Sequence, residues 1–192
     1  LLNNKCTNII TQILNPTLHF RIGYFNAIPA CFISQSDASR IAGTAVSISR
    51  DDWNYYERSW EFRSSPLLCA SLGQVKSLQN AYSAWIAENN QRITDLQRLE
   101  EEANDIFIRQ YGLEGDIEPD VAIEQITLTI NPAYRYGGKM TEEEQRARFR
   151  RDTMGEFLSY AAGCMMGRYS LDQQGLILAD SLDSQASHLA AY

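Results

Sequence analysis

Apolar residues recur at helical spacing over most of this chain. Leu2, Cys6, Ile9, Ile10 and Ile13 predict a short amphipathic helix over 2–14, stopped at Asn15-Pro16. Proline lacks an amide proton and disfavours the helical region for the residue before it. Leu18, Phe20 and Ile22 then alternate with polar residues, as in a short strand, and Ala27-Ile28-Pro29 closes that unit. Ser36-Asp37 can cap a helix over about 37–47. Ser49 with Asp52 three residues on resembles an acidic capping box. It predicts a second short helix from Arg50 to Trp60, with Trp53, Tyr56, Glu57 and Trp60 on one side.

The longest stripe runs from Gln74 to Tyr111. Val75, Leu78, Tyr82, Trp85, Ile86, Ile93, Leu96, Leu99, Ala103, Ile106 and Phe107 fall at spacings of three and four, which predicts a helix about 57 Å long. Gly112 is placed to stop it. Asn89 and Arg92 interrupt the stripe, so a spacer helix packed on neighbours fits better than a sustained coiled coil. Glu114 to Pro119 reads as an acidic turn, and Ile126-Thr127-Leu128-Thr129-Ile130 as a small strand ended by Asn131-Pro132. Thr141 with Glu144 forms a capping box, with acids at the positive end of a helix running to about Arg168. Gly163 and Gly167 lie four apart on that helix, a spacing that invites close approach of another backbone. The fold class is therefore mainly α: one long helix (about 74–111), a C-terminal helix (about 142–168) and minor short strands. The helical spacing already running at Leu2, with no cap and no initiator methionine, predicts a chain cut from inside a helix of a longer polypeptide.

Net charge is −7, which argues against a whole-surface nucleic-acid clamp and leaves room only for a local basic patch. Cys6, Cys31, Cys69 and Cys164 are scattered, and His19 and His188 are the only histidines, so no metal site is expected. Free thiols fit a reducing cytoplasm, and no apolar run approaches a membrane span.

Candidate chemistry is sparse. Asn131-Pro132-Ala133-Tyr134 follows a predicted strand, where adenine amino-methyltransferases carry Asn-Pro-Pro-aromatic to hold a flipped base. The third position here is Ala133, and no glycine-rich turn for a nucleoside precedes it, so a proline turn is the simpler reading. Arg146, Arg148, Arg150 and Arg151 spread over more than one helix face, as a solvated surface or as a phosphate patch. Tyr134, Arg135, Tyr136 and Lys139 bring aromatic and basic groups together, a mix suited to phosphate or base contact.

Four segments resemble the PglX family, the large adenine-specific DNA methyltransferases of BREX phage-defence systems. They are Leu14 to Gly23 with Ile28-Pro29; Ile48 to Trp53 with Ser59-Trp60-Glu61-Phe62; Ile126 to Gly138; and Asp152 to Asp172, continuing to Gly175-Leu176-Ile177. They occur in family order and recur along most of the chain. The resemblance implies that residues 1–35 are the C-terminal end of a target-recognition region and 36–192 a helical spacer. It implies a cytoplasmic parent enzyme that methylates adenine N6 in double-stranded DNA from S-adenosylmethionine. The family's catalytic and cofactor motifs lie upstream of the matched part, so no catalytic or cofactor-binding residue is carried over. Arg21, Tyr134, Arg135 and Lys139 are the candidate DNA contacts. Other defence-system proteins are possible partners; a piece of a combined restriction-methylation enzyme and a helical protein-interaction module are the alternatives.

Overall fold

The computed structural model describes residues 4–15, 17, 22–29, 33–69 and 77–177. Among these the chain is mainly helical and has no strand. In order come α1 (Lys5–Leu14), α2 (Ile22–Phe25), α3 (Gln35–Asn54), α4 (Pro66–Cys69), α5 (Leu78–Tyr111), a 3₁₀ turn (Ile123–Gln125), α6 (Pro132–Tyr136) and α7 (Glu142–Met165). No helix among the described residues is long and apolar enough to cross a membrane.

Several boundaries differ from the periodicity. Helix α1 does have a cap: the Asn4 side chain accepts the Thr7 N–H and donates to the Thr7 hydroxyl, so the helix starts at Lys5. The strand read over Leu18 to Ile22 lies mostly outside the described residues, and its last residue opens α2. The two helices read over 37–47 and 50–60 are one helix, α3, with Ser49 inside it. Nothing between Ala45 and Asp52 breaks a helix, and the Asp52 carboxylate is engaged elsewhere. Helix α3 ends at Asn54, and tight turns follow, with Ser59 N–H donating to the Tyr56 carbonyl and the Ser59 hydroxyl to the Asn54 side chain. Helix α5 stops where expected. Gly112, at φ +67°, lets its own N–H reach the Arg109 carbonyl and the Leu113 N–H reach that of Ile108.

Ile126 to Ile130 is not a strand. Its alternation still predicts burial, since Ile126, Leu128 and Ile130 are all in the interior. The backbone donors of Thr129 and Ile130 go to the two oxygens of buried Asp52, at 2.8 and 2.9 Å, instead of to a neighbouring strand.

The chain divides into two compact units, each discontinuous in sequence: 1–48 with 92–126, and 49–91 with 127–192. The first has a small core of Cys6, Phe107 and Ile108, with Ile33, Tyr111, Leu113 and Ile117 against it. Polar side chains of α5 tie down the chain after it. Asn104 accepts the Lys5 N–H and donates to the Pro119 carbonyl, and Gln97 donates to the Val121 carbonyl.

The second unit is aromatic. Trp85 stacks on Phe149 at 5.6 Å, and Tyr55 and Tyr136 meet that pair edge-on. Phe62, Tyr160 and Tyr169 form a second cluster with Leu68 and Cys164. Gly163 is read correctly as a close-approach site, but an aromatic ring approaches it, not a backbone. A Cβ there would lie 2.6 Å from a Tyr169 ring carbon. Gly167 serves another purpose. Helix α7 ends at Met165, three residues short of the predicted Arg168, and Gly167 adopts φ +73° just past the cap. Its N–H and that of Arg168 then reach the Cys164 and Gly163 carbonyls, which closes the helix end.

Candidate nucleic-acid interface

The site is built in the second unit, where the end of α3, helix α6 and helix α7 supply its side chains. Asp52 fixes the segment leading into α6 through Thr129 and Ile130. Asn131 then caps α6: its side-chain oxygen accepts the Ala133 N–H at 3.1 Å, and Pro132 occupies the first turn, where its missing N–H costs nothing. Asn131 is 1 % exposed. This local geometry aims Arg135 at α7, where it donates to the Glu156 carboxylate at 2.9 Å.

Around Arg135 runs an alternation of guanidinium and ring. The Arg58 guanidinium lies 4.5 Å from the Trp53 ring centre and 5.0 Å from that of Tyr56. Arg135 lies 5.5 Å from Tyr56 and 5.4 Å from Tyr136. Arg148 lies 4.9 Å from Tyr136. Trp53, Arg58, Tyr56, Arg135, Tyr136 and Arg148 thus form one ladder of cation–π contacts, each worth about 0.5–1 kcal/mol where exposed and more where desolvated. Further polar contacts hold the rungs: Arg58 donates to the Thr129 hydroxyl at 2.9 Å and Tyr136 to Asp152 at 2.6 Å.

The titration tendencies follow from burial and pairing. Burial raises the Tyr56 and Tyr136 hydroxyls above the ordinary tyrosine value, and for Tyr136 the bond to Asp152 adds to it. Both stay neutral at physiological pH; Tyr136 donates to Asp152, and Tyr56 accepts from Arg135. Burial likewise raises Glu156, against the opposing effect of Arg135. Burial lowers Arg135, but Glu156 and the neighbouring tyrosines outweigh it and leave the guanidinium raised.

The middle rung is internally neutralised and the ends are not. Arg135 has Glu156. Arg58 and Arg148 are both exposed, and among the described residues neither has a carboxylate partner within ion-pair distance. Their planar groups are held against rings with free N–H donors, an arrangement that suits phosphate oxygens. Trp53, half exposed, offers an open ring edge beside Arg58.

No family model matches the chain. Two curated proteins do. The adenine-specific methyltransferase BrxX of Escherichia coli O9:H4 (strain HS) is 33% identical over 190 residues, 99% of this chain and 15% of its own length. The adenine-specific methyltransferase PglX of Lacticaseibacillus casei (strain Zhang) is 31% identical over 180 residues, 93% of this chain and 14% of its own length. Over this stretch the chain matches the BREX PglX family. It spans only about one-seventh of the PglX-family proteins it matches.

The four DNA-contact candidates named from the sequence fall in different places. Arg21 lies outside the described residues. Tyr134 is 47 % exposed on α6, and Lys139 is exposed in the loop before α7. Arg135 is turned inward as the central rung. The arginine cluster of α7 does split over several faces: Arg146 pairs with Glu142, Arg151 with Asp152, Arg150 lies by Tyr82, and Arg148 joins the ladder. Sequence reasoning missed Arg58. The run Trp53, Tyr55, Tyr56, Arg58, Trp60 was its signal, and reading Trp53, Tyr56, Glu57 and Trp60 as one side of a helix hid the turn that folds Arg58 back over Trp53.

Gly137 and Gly138, the paired glycines of the described residues, form no cradle for the methyl donor that the PglX resemblance implies. The paired glycines, Gly137 and Gly138, follow α6 with no strand before them, and a Cβ on Gly137 would lie 2.9 Å from the Ala133 carbonyl oxygen. The loop is shut against its own helix and makes no open cradle.

Proposed function

We propose that this chain is a DNA-contacting and spacing segment of an adenine-N6 DNA methyltransferase of a phage-defence system, and that methyl transfer from S-adenosylmethionine occurs in other parts of the longer protein. The observation that carries the reading is the ladder, with two guanidinium groups at its ends that lack carboxylate partners. Phosphates of double-stranded DNA are the natural complement to such groups. Tyr134 and Lys139 extend the candidate surface. The capping role of Asn131 supports a non-catalytic reading of Asn131-Pro132-Ala133-Tyr134, because its carbonyl oxygen is committed to the Ala133 N–H. Helix α5, about 51 Å long at 1.5 Å per residue, supplies the spacing element.

A second reading has its own support. Net charge −7 and Trp60, 98 % exposed in the turn after α3, favour a surface that docks other defence-system proteins. One experiment separates them. The longer protein transfers labelled methyl groups from S-adenosylmethionine to duplex DNA, the 192-residue chain alone transfers none, and Trp60→Ala leaves DNA affinity of the longer protein unchanged. Methyl transfer by the chain alone sinks the proposal. Loss of partner-protein capture in the Trp60 variant, with DNA affinity insensitive to salt, replaces it with the docking module.

A further inference from the structure

Arg135 carries the third guanidinium of the ladder, and Glu156 matches its charge in the free chain. The pair is not sealed from solvent: the Arg135 side chain is 22 % exposed and that of Glu156 41 %. Arg135 spends Nη2 on Glu156, at 2.9 Å, and Nη1 on the Tyr56 hydroxyl, at 3.5 Å. A guanidinium has five N–H donors, so donors remain beyond these contacts. Rings hold the group as well as the carboxylate does. Tyr56, Tyr136 and Phe149 lie 5.5, 5.4 and 5.8 Å from it. Arg135 can therefore change its anionic acceptor without leaving its seat.

Glu156 meets charged and titratable groups from every element around it. Arg135 and Tyr136 come from α6, Arg58 and Tyr56 from the turns after α3, and Asp152 from one turn earlier on α7. Glu57 and Glu156 line one cleft. Burial raises the Glu156 carboxyl against Arg135; Asp152 raises it further and Arg58 lowers it. Two carboxylates thus stand where a phosphate would meet the ladder. A third negative charge there is unfavourable, and protonation of one carboxyl relieves it. Asp152 keeps donors of its own, the Tyr136 hydroxyl at 2.6 Å and Arg151 at 3.8 Å, so Glu156 is the group that yields. We propose that Glu156 is an acidic brake on the DNA face: a backbone phosphate of duplex DNA takes Arg135 from Glu156, and Glu156 takes up a proton from solvent in exchange. The inference rests on the DNA-facing reading and adds a regulation to that same site. Phosphate diesters stay ionised throughout, so the bound state holds more protons than the free state. Affinity therefore rises as pH falls through the range between the bound and free Glu156 values. Arg135 then acts as a third phosphate contact beside Arg58 and Arg148.

The test is duplex binding by the longer protein, read by fluorescence anisotropy over about pH 5.5–8 and over a salt series. Glu156→Gln should bind roughly three- to tenfold tighter than the unchanged protein at the alkaline end, approach it at the acid end, and steepen the alkaline salt slope by about 0.9. Glu143→Gln, which removes the same charge from the exposed first turn of α7, should change neither the pH dependence nor the slope. Calorimetry of the unchanged protein with duplex, in two buffers of different ionisation enthalpy, should show net proton uptake, and it decides alone should Glu156→Gln not fold. Absence of proton uptake, or looser binding by Glu156→Gln, overturns the assignment and leaves Glu156 as a brace for Arg135. The two readings fail separately. If Arg58→Gln/Arg148→Gln flattens the salt slope while Glu156→Gln alters neither slope nor pH dependence, only the brake falls. If neither variant alters binding, the DNA-facing reading falls and the brake with it.

Discussion

Gly163 is the position where one atom has the clearest consequence. The face of α7 at this point is shaped to the Tyr169 ring, itself stacked on Tyr160 at 5.2 Å and buried. Gly163→Ala puts a methyl 2.6 Å from that ring, which cannot move without disturbing Phe62 and Tyr160. Overpacking of this kind costs about 1–3 kcal/mol, more than the better helix propensity of alanine returns. Urea denaturation should show a lower midpoint with an unchanged slope; an equal or higher midpoint would mean that the ring is loosely held. Glu100 gives a second test at this scale. Burial holds its carboxyl above the ordinary value. The folded state therefore binds that proton more tightly than the unfolded state does. The contribution is present below the unfolded pKa and is lost as pH rises through the folded one. Glu100→Gln should raise stability relative to the unchanged chain at pH 7 and leave it nearly equal near pH 4. Urea midpoints at both pH values check this, and a variant equally shifted at both would contradict it. The glycine was visible in the sequence as a close-approach site, because helix-interior glycine is costly. The identity of its neighbour was not, since Tyr169 reaches it only after Gly167 has turned the chain.

Among the elements, the segment from Ile126 to Ile130 shows what periodicity can and cannot say. Alternation reports which side chains face inward, and all three isoleucine and leucine positions are indeed buried. It does not report where the backbone donors go. Asp52 takes two of them across 77 and 78 residues of sequence, and no local pattern announces that. The same carboxylate looked like a helix cap because its spacing from Ser49 fits one. Asp52→Ala should leave two backbone N–H groups without their charged acceptor and cost about 3 kcal/mol. It should also free α6, so hydrogen exchange at Thr129 and Ile130 should accelerate far more than in the core of α7. Uniform acceleration would mean that Asp52 contributes only to global stability. Helix α5 was legible for the opposite reason: its stripe is long, and a glycine ends it. Even there Asn89, read as a break in the stripe, is 1 % exposed, and its amide atoms have no hydrogen-bond partner among the described residues. Polarity in the sequence marked it as outward, and the packing put it inside.

For the molecule as a whole, net charge and local charge point in different directions. The chain is acidic, and several of its basic side chains meet acids: Arg40 with Glu102, Arg109 with Asp105, Arg135 with Glu156, Arg146 with Glu142. Such pairs leave little long-range field for a polyanion. Arg58 and Arg148, held on rings with no carboxylate in ion-pair distance among the described residues, are what give a DNA-facing role a physical basis. Hydrophobic periodicity set the fold expectation, and resemblance to the PglX family, carried by four segments, the candidate function; the ladder was not legible, because it joins residues 53–58, 135–136 and 148 through contacts with no sequence spacing. The most direct test is the salt dependence of duplex-DNA binding by the longer protein, with Arg58→Gln/Arg148→Gln against the unchanged protein. Each phosphate contact contributes about 0.9 to the slope of log affinity against log salt, so losing both should flatten it by about 2. An unchanged slope at unchanged affinity would contradict the account and leave the ladder as internal bracing alone.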